Sequence, residues 1–336
     1  NSLKHFKKLL KYDGYGRIDD YTFNKIGRKI IVSKFIDYGS LRMNMIIFDG
    51  TATVTNLLYH KDYELKSVKN RNDYSRLTIY NDKLNTSLYS RSKDNNSTQK
   101  TITKRILDLK NKDRDLFVLP MKNEINIYKN IGAIKEEELH FYQDDSSNQT
   151  KGLNLLNTTG KNALNNLYNL YIPCLPKRNA EYYKELAIAI YGEDVSLLTS
   201  KDNDNGNWFQ DEKLEKVYKQ ELYAEILQII HRTALRKIDE NKNVNIYLTY
   251  YDSRNSSNYN YKPLVLELRD VYEMNNVIIK AEKLINTVDY GRDKILDGYI
   301  DLISKMNIIG EVPVGKVSLS FKNYIKRYFT DRNEII

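Results

Sequence analysis

The sequence predicts an α/β protein built on a mainly parallel β-sheet with flanking helices. Two observations favour this class. Short runs such as "DLFVLP" (115–120) and "NLYIPCL" (169–175) are continuously apolar rather than alternating, as expected for parallel strands that are buried on both faces. Longer segments with helical periodicity lie between the runs, and helices that alternate with buried strands are typical of an open α/β sheet.

The predicted strands are short apolar runs separated by polar loops. They are "RKIIVSKF", "MNMIIFDG", "DLFVLP", "NLYIPCL" and "NVNIYLTYY". Stretches without apolar periodicity separate these runs and are predicted to be loops or linkers, at 92–100, 143–150, 200–207 and 252–260.

Three helices are predicted between the strands. Residues 98–112 place Ile102, Ile106 and Leu109 on one face, and "NAEYYKELAIAIYG" ends at a glycine that is suited to stop a helix. The longest helical pattern covers 211–238, and a break near its middle is left open. Beyond residue 260 the apolar residues again recur at helical spacing, which predicts a separate, mainly helical domain. They are Val271, Met274, Ile278, Ala281 and Ile285, then Ile295, Tyr299, Leu302 and Met306.

Composition and charge allow two interpretations. The 336 residues carry a formal charge of +9, with a pI near 9.1. Such a balance indicates a polyanionic partner such as nucleic acid. The alternative is a general bias toward Lys, Asn, Ile and Tyr, which raises the pI without creating a binding face.

Cysteine and histidine usage excludes several classes of site. The single cysteine, Cys174, rules out an internal disulfide and a cysteine-based zinc cluster, and its apolar surroundings predict a buried structural thiol. The four histidines form no H-x-x-x-H pair, so no metal site is predicted. No apolar run approaches the roughly 18 residues of a membrane span, and no signal peptide is recognisable. The expectation is a soluble, cytoplasmic protein without membrane contact.

Two Gly-Lys pairs invite comparison with the phosphate-binding loop G-x-x-x-x-G-K-[ST]. Leu155 stands where the first glycine of that loop would precede Gly160-Lys161, and Asn162 replaces the hydroxyl residue that would hold magnesium. The second pair, Gly315-Lys316, is followed by valine. No D-E-x-[DH] magnesium motif is present either, so we expect this chain alone to bind neither ATP nor Mg²⁺.

Three stretches, in order along the chain, resemble the superfamily 2 helicases and translocases, whose motor consists of two RecA-like lobes. The first is "IIFDGTAT" (46–53), in which a strand is predicted to run into a Thr-Ala-Thr turn. It is similar to the Ser-Ala-Thr turn late in the first lobe, which couples nucleotide state to the nucleic-acid track. The resemblance assigns this coupling role to Asp49, Thr51 and Thr53. The alternative is an ordinary turn at a strand end.

The second stretch is "NTTGKNALNNLYNLYI". Gly160 and Asn162 match the Gly-x-Asn turn that precedes a buried strand of the second lobe. Small residues and exposed N–H groups let such a turn approach a phosphodiester backbone, and Lys161 would add a positive charge to the contact. The resemblance therefore implies nucleic-acid binding at Gly160, Lys161 and Asn162. A surface loop with a helix cap is the alternative.

The third stretch is "EILQIIHRTALRKIDENKNVNIYL", which places Gln228, Arg232 and Arg236 at i, i+4 and i+8 of a helix. It is similar to the family's sixth motif, whose arginines reach the γ-phosphate held by the other lobe. The resemblance implies that Gln228 positions the nucleotide and that the two arginines stabilise transition-state charge. Leu235 stands where the second arginine is usual, and His231 replaces a frequent glycine. The alternative is a solvated basic helix face.

The resemblance covers roughly residues 25–252 and implies the C-terminal portion of an ATP-dependent nucleic-acid helicase or translocase. Residues 1–70 would be a remnant of the first RecA-like lobe, and 71–255 would form the second. Residues 256–336 would form a helical accessory domain of helix-turn-helix or winged type, whose basic helix would contact nucleic acid through Lys322, Lys326 and Arg327.

The implied partners are the missing N-terminal lobe and a nucleic acid, with DNA preferred over RNA. ATP and Mg²⁺ would be cofactors of the complete motor, and this chain alone would be inactive. A function of another class stays open, namely a non-catalytic basic nucleic-acid-binding protein such as a replication or partition factor. A phosphate-binding loop and a magnesium motif upstream of residue 1 would distinguish the motor from this alternative.

Overall fold

The computed structural model describes part of the chain. The described residues are 15–19, 29–33, 46–59, 63–66, 73–92, 97–112, 115–144, 152–158, 162–191, 195–196, 207–238, 240–250 and 264–282.

Two N-terminal strands form a hairpin of their own. Strand β1 (Tyr15–Asp19) pairs antiparallel with β2 (Lys29–Ser33). The strand predicted in "RKIIVSKF" is therefore confirmed, but the parallel pairing expected for it is wrong.

The other five strands form one parallel sheet with the order β4-β5-β6-β3-β7. They are β3 (Leu77–Asp82), β4 (Leu116–Val118), β5 (Asn169–Ile172), β6 (Val244–Thr249) and β7 (Ile278–Glu282). Helices alternate with these strands, so the predicted α/β class is confirmed.

The residues that the structure describes include six α-helices. They are α1 (Leu88–Ser92), α2 (Ser97–Lys112), α3 (Ile125–Asn130), α4 (Ala180–Tyr191), α5 (Glu212–His231) and α6 (Leu264–Val271). The predicted face of α2 is confirmed, because Ile102, Ile106 and Leu109 are buried. Helix α5 begins where Asp211 accepts hydrogen bonds from the backbone N–H groups of Lys213 and Leu214, which is a standard N-terminal cap.

Two elements of the sheet differ from the sequence prediction. Strand β3, "LTIYND", was not predicted, because polar residues interrupt its apolar pattern. It nevertheless lies between β6 and β7 in the sheet, and its Leu77 and Ile79 are buried. Strand β7 was assigned to a helical pattern, because Ile278 and Ala281 fit helical spacing. It pairs with β3 instead, so the helical prediction is wrong at residues 278–282. Residues 283–336, which include Lys322, Lys326 and Arg327, lie outside the described residues.

The predicted buried strand in "MNMIIFDG" is also wrong over its described part. Residues 46–49 have no regular secondary structure. Ile46 and Phe48 are 80% and 95% exposed, so these apolar side chains are not part of the core. A run of apolar residues predicts a strand only where a sheet is available to pair with it.

The direction in which the chain moves across the sheet reverses between the neighbouring strands β3 and β6. After β3 the chain leads to β4 at one edge of the sheet, whereas after the neighbouring strand β6 it leads to β7 at the other edge. In open α/β sheets, ligands bind in the crevice outside the carboxyl ends of two such strands. The sheet therefore has two edges to consider as sites, the carboxyl edge with this crevice and the amino edge where the strands begin.

Candidate functional site

The predicted arginine-bearing segment lies at the amino edge, where α5 ends just before β6. The helix ends at His231, and the backbone N–H of Arg232 still donates to the carbonyl of Gln228 at 3.1 Å. Thr233 is extended, and its hydroxyl accepts from the N–H of Leu235, so that it starts a separate 3₁₀ turn over Ala234–Arg236. Arg236 therefore does not continue the face of α5, and the predicted i, i+8 relation to Gln228 is wrong. The side-chain cap on Thr233 is the physical reason, because it favours a new turn over another turn of α-helix.

The predicted stretch before β5, "NTTGKNALNNLYNLYI", meets the arginine-bearing segment at this edge. Asn162 is exposed, and its carbonyl accepts from the N–H of Asn165 at 3.1 Å in a turn before β5. Arg236 Nη1 donates to Asn165 Oδ1 at 3.2 Å, and the N–H of Ala234 donates to the carbonyl of Leu167 at 3.0 Å. Gly160 and Lys161 lie outside the described residues. Two stretches about 70 residues apart in sequence are thus in direct contact, through Asn165 and Leu167.

Arg76, which the sequence did not single out, fixes the loop that carries these residues. Its Nη2 donates to the carbonyls of Leu235 and Lys237 at 3.3 and 2.8 Å, and its Nη1 donates to the carbonyl of Lys242 at 3.1 Å. One guanidinium therefore joins the start and the end of the segment between α5 and β6. Arginine suits this task because its planar fork presents several donors in fixed directions.

Charge at the amino edge is concentrated. Burial lowers the pKa of the Arg232 guanidinium, repulsion from Arg236 lowers it further, and Glu225 opposes both effects. Burial also lowers the pKa of His231, against a hydrogen bond to the carbonyl of Leu227. Burial and the neighbouring Arg236 therefore both disfavour the charged form of Arg232.

The residues to which a coupling role was assigned, at 49–53, lie beside α5 and α6. Asp49 Oδ1 accepts from both the N–H and the hydroxyl of Thr51 at 2.8 Å, and Oδ2 accepts from the Tyr59 hydroxyl at 2.5 Å. Burial opposes ionisation, but these hydrogen bonds outweigh it and lower the pKa of Asp49. Thr53 lines an open groove between this turn, α5 and α6. Asp49 and Thr51 thus bond within their own turn. Just beyond this turn, Asn56 accepts a hydrogen bond from Gln220 of α5, which lies about two helical turns before Gln228.

The carboxyl edge contains buried polar groups that the sequence did not reveal as a group. Asp82, at the end of β3, is fully buried, and its Oδ2 accepts from the Tyr171 hydroxyl at 2.8 Å. That hydroxyl in turn accepts from Thr249 Oγ1 at 2.9 Å. Asp82 Oδ1 has no hydrogen-bond partner in the described part of the chain. Burial raises the pKa of Asp82, although Tyr171 and the charge of Arg105 oppose the shift.

A buried ion pair joins the segments that follow β3 and β4 at the same edge. Arg91 Nη1 lies 2.5 Å from Glu124 Oε1, and both side chains are less than 10% exposed. Gln99 Nε2 donates to Glu124 Oε1 and to the carbonyl of Arg91, and Arg91 Nε donates to the carbonyl of Thr86. This network ties together the segments that follow β3 and β4.

Cys174 lies in the same buried region after β5, which confirms the prediction of a buried thiol. Burial raises its pKa to about 12, so it is protonated near neutral pH and is not a nucleophile.

No protein-family model matches the chain, and neither the curated proteins nor the solved structures include a match. Among the described helices, none combines the length and apolar character that a membrane span requires. The class that the fold defines is an α/β protein with a five-stranded parallel sheet. Any more specific assignment depends on the residues at its two edges.

Proposed function

We propose that this sheet is the second RecA-like lobe of an ATP-dependent nucleic-acid helicase or translocase. In this proposal Arg232, with Arg236, supplies positive charge to the γ-phosphate of a nucleotide that another lobe holds. Gln228 positions that nucleotide, and the turn at residues 160–162 contacts the nucleic-acid backbone. ATP and Mg²⁺ belong to the complete motor, which we place in the cytoplasm.

The observation that carries the proposal is the contact between the two stretches at the amino edge. The segment that ends α5 and the turn before β5 were assigned to the family's motifs separately, from local sequence. The hydrogen bond from Arg236 Nη1 to Asn165 Oδ1 brings them together on one surface. A motor needs this arrangement, because it must couple a phosphate contact to a nucleic-acid contact.

The surroundings of Arg236 fit a residue that acts on a ligand of another lobe. Its side chain is exposed, and its described partner, Asn165, is neutral, so its charge is retained at the surface. A guanidinium that stabilises charge on a transferring phosphoryl group must be able to reach it from outside the lobe that binds the nucleotide. A parallel sheet with flanking helices can present such a residue, although many α/β proteins share that architecture.

The test uses a complete motor that contains this chain together with a phosphate-binding loop. Arg232→Lys keeps the charge but loses the planar fork, and loss of such an arginine costs on the order of 10³ in turnover. We expect kcat for ATP hydrolysis to fall by about this factor while affinity for nucleic acid is retained. An unchanged kcat, or ATP hydrolysis by residues 1–336 alone that depends on Arg232, would contradict the proposal.

The alternative, a non-catalytic basic nucleic-acid-binding protein, is favoured by one observation. The chain has cationic side chains at the amino edge but no phosphate-binding loop in its sequence. In that case nucleic-acid affinity would be independent of ATP in every form of the protein. A motor lobe requires that ATP changes the affinity of the complete protein.

A further inference from the structure

We propose that residues 293–306 pack as an amphipathic helix on the face of the parallel sheet that carries Tyr80, Tyr247, Ile278 and Lys280. We call these four residues the open face. The inference goes beyond the proposed function, because it assigns a partner to a surface that the helicase motifs do not use. The partner belongs to the segment for which the sequence predicts a helical accessory domain.

The two faces of the sheet differ in burial at β3, β6 and β7. On one face Ile79 of β3 and Ile246 of β6 are buried. On the open face the two tyrosines are only half-buried, the lysine is exposed, and Ile278 is 47% exposed. Parallel sheets occur almost only with both faces covered. The described residues therefore leave part of one face without the cover that this kind of sheet requires.

The open face is continuous across neighbouring strands. The rings of Tyr80 and Tyr247 stack with their centroids 4.6 Å apart, and Tyr247 also stacks on the buried Tyr171 at 6.0 Å. Lys280 Nζ lies 5.5 Å from the ring centroid of Tyr80. Because the ring faces already contact neighbouring groups, this surface suits packing by apolar side chains better than stacking of a planar ligand.

The described helices lie on both sides of the sheet. The N–H of Val265, at the start of α6, and the Asn81 side chain both donate to the Tyr250 hydroxyl. Side chains alternate along a strand, so Asn81 and α6 lie opposite the open face, whereas Asp82 lies on it. The charge of Arg105 in α2 lowers the pKa of Asp82, which places α2 on the side of the open face.

This division predicts where the chain goes after β7. Connections between parallel strands are right-handed, so segments that cross the sheet in opposite directions lie on opposite faces. Helix α6 belongs to the connection that moves toward β7, and α2 to the one that moves away from it. Strand β7 is at the edge of the sheet, and residues 283–336 follow it directly. A segment that returns from β7 in the same hand therefore runs over the open face.

The sequence after β7 contains a helical pattern that suits this position. Its apolar stripe consists of Ile295, Tyr299, Leu302 and Met306, and the opposite side carries Asp293, Asp297 and Asp301. A helix with such a stripe has to bury it against an apolar surface. Residues 283–292 can span up to about 33 Å, which lets the helix lie alongside the five-residue strand β7.

The experiment uses the full chain, residues 1–336, and measures how fast an introduced cysteine reacts with a maleimide dye. Ile278→Cys places the thiol on the open face, and Val271→Cys, the matched control, places it on α6. The two native side chains are similarly exposed, at 47% and 44%. The natural Cys174 is buried, so its labelling would report loss of the fold.

We expect Ile278→Cys to react at least about tenfold more slowly than Val271→Cys, because a covered thiol reacts only while its cover is open. Adding Leu302→Asp to Ile278→Cys puts a charge into the apolar stripe and should restore fast labelling. Adding Asp301→Asn, on the polar side of the same helix, should leave the protection unchanged. If Cys174 also becomes labelled in Leu302→Asp, Leu302→Ala takes its place.

Equal rates for Ile278→Cys and Val271→Cys overturn the inference without any substitution in the helix. Protection that persists when Leu302 is replaced also overturns it. Protection that is lost on dilution of the protein would identify a second copy of the chain as the cover and would refute residues 293–306 in that role. None of these outcomes bears on the proposed function, which is measured by turnover of the Arg232→Lys motor.

Discussion

The carboxyl and amino edges of the parallel sheet differ in the burial of their polar side chains. At the carboxyl edge Asp82, Arg91 and Glu124 are almost completely buried and are tied to neighbouring segments by hydrogen bonds. At the amino edge Arg236 and Lys242 remain at the surface with neutral partners. The carboxyl edge is where open α/β sheets usually bind ligands, and here most of its described polar side chains bond to one another or to nearby carbonyl groups. The comparison teaches that a polar cluster indicates a binding surface only where its charge stays accessible.

The largest expected effect is at the carboxyl edge. Arg91→Met removes one partner of a buried ion pair and leaves the Glu124 carboxylate without compensation. We expect the free energy of unfolding in urea to fall by about 3–5 kcal/mol, because an unpaired buried charge is that costly.

Lys122→Met is the matched control, because it breaks the ion pair between Lys122 and Asp144, whose side chains are 61% and 53% exposed. Such exposed pairs contribute roughly 0–1 kcal/mol. Equal losses in the two variants would mean that the Arg91–Glu124 pair does not behave as a buried ion pair.

Sequence and structure agree where burial alone decides. Apolar runs identified β4 and β5, whose residues are all buried, and also β6, in which Asn245 and Tyr247 are only half-buried. Strand β3 was missed because Asn81 and Asp82 are buried polar residues, whose partners are Tyr250, Tyr171 and other residues distant in sequence. Long-range hydrogen bonds cannot be inferred from a local pattern.

The candidate site was predicted in part, for a similar reason. Local sequence identified the segments at residues 160–162 and 228–236, but not that Asn165 and Arg236 would meet. Arg76 gave no local signal, because its importance comes from contacts with a loop more than 150 residues further along the chain. Thr233 carried a signal that could have been used, since a Ser or Thr after a helical run can cap a new turn.

A second prediction concerns pH and sharpens the contrast between two aspartates. Burial raises the pKa of Asp82 above its ordinary value of 3.8, so the folded protein holds this proton more tightly than the unfolded chain. The free energy of unfolding contributed by Asp82 therefore falls as pH rises from about 3.8 through the folded pKa, by up to about 1.4 kcal/mol per pH unit. Asp82→Asn should remove this decline in denaturant unfolding measured over a pH series.

Asp73, before β3 at the amino edge, should behave in the opposite sense. Hydrogen bonds from Ser75 lower its pKa, so its contribution is present above pH 3.8 and is lost as pH falls through the folded pKa. Asp73→Asn should therefore reduce the loss of stability in acid. The same sign of change in both variants would contradict the assignment of burial as the cause at Asp82.

A third and smaller effect is expected for the guanidinium that fixes the amino edge. Arg76→Lys removes the fork that reaches three carbonyls, and an ammonium cannot replace all of these bonds. We expect a loss of about 1–2 kcal/mol in urea unfolding, since each net hydrogen bond contributes about 1 kcal/mol.

Arg236→Lys serves as its control, because Arg236 is exposed and donates to the single described partner Asn165. Its loss should stay within about 0.5 kcal/mol, as for most surface substitutions. If the Arg236 variant lost more stability than the Arg76 variant, the exposed arginine would be structural rather than available to a ligand.

The smallest effect is spectroscopic and concerns Lys177, which follows β5 beyond the carboxyl edge. Its Nζ lies 3.4 Å from the ring centroid of Trp208, the only tryptophan of the chain. Burial lowers the pKa of Lys177 to about 8, and the charge of Glu215 opposes the shift. An ammonium over an indole ring loses its cation–π interaction when it is deprotonated. Tryptophan emission should therefore change with a midpoint near pH 8.

Tyr183, whose ring centroid is 5.8 Å from that of Trp208, does not titrate in this range, because burial raises its pKa to about 12. Lys177→Met should abolish the transition, whereas Lys216→Met, an exposed lysine on α5, should preserve it. The free energy of unfolding should also rise between pH 8 and 10.5 in the wild type, since the unfolded chain keeps its proton up to the ordinary pKa of 10.5. A fluorescence transition that persists in Lys177→Met would show that a group other than Lys177 causes it, and would contradict the assignment of the transition to the ammonium over Trp208.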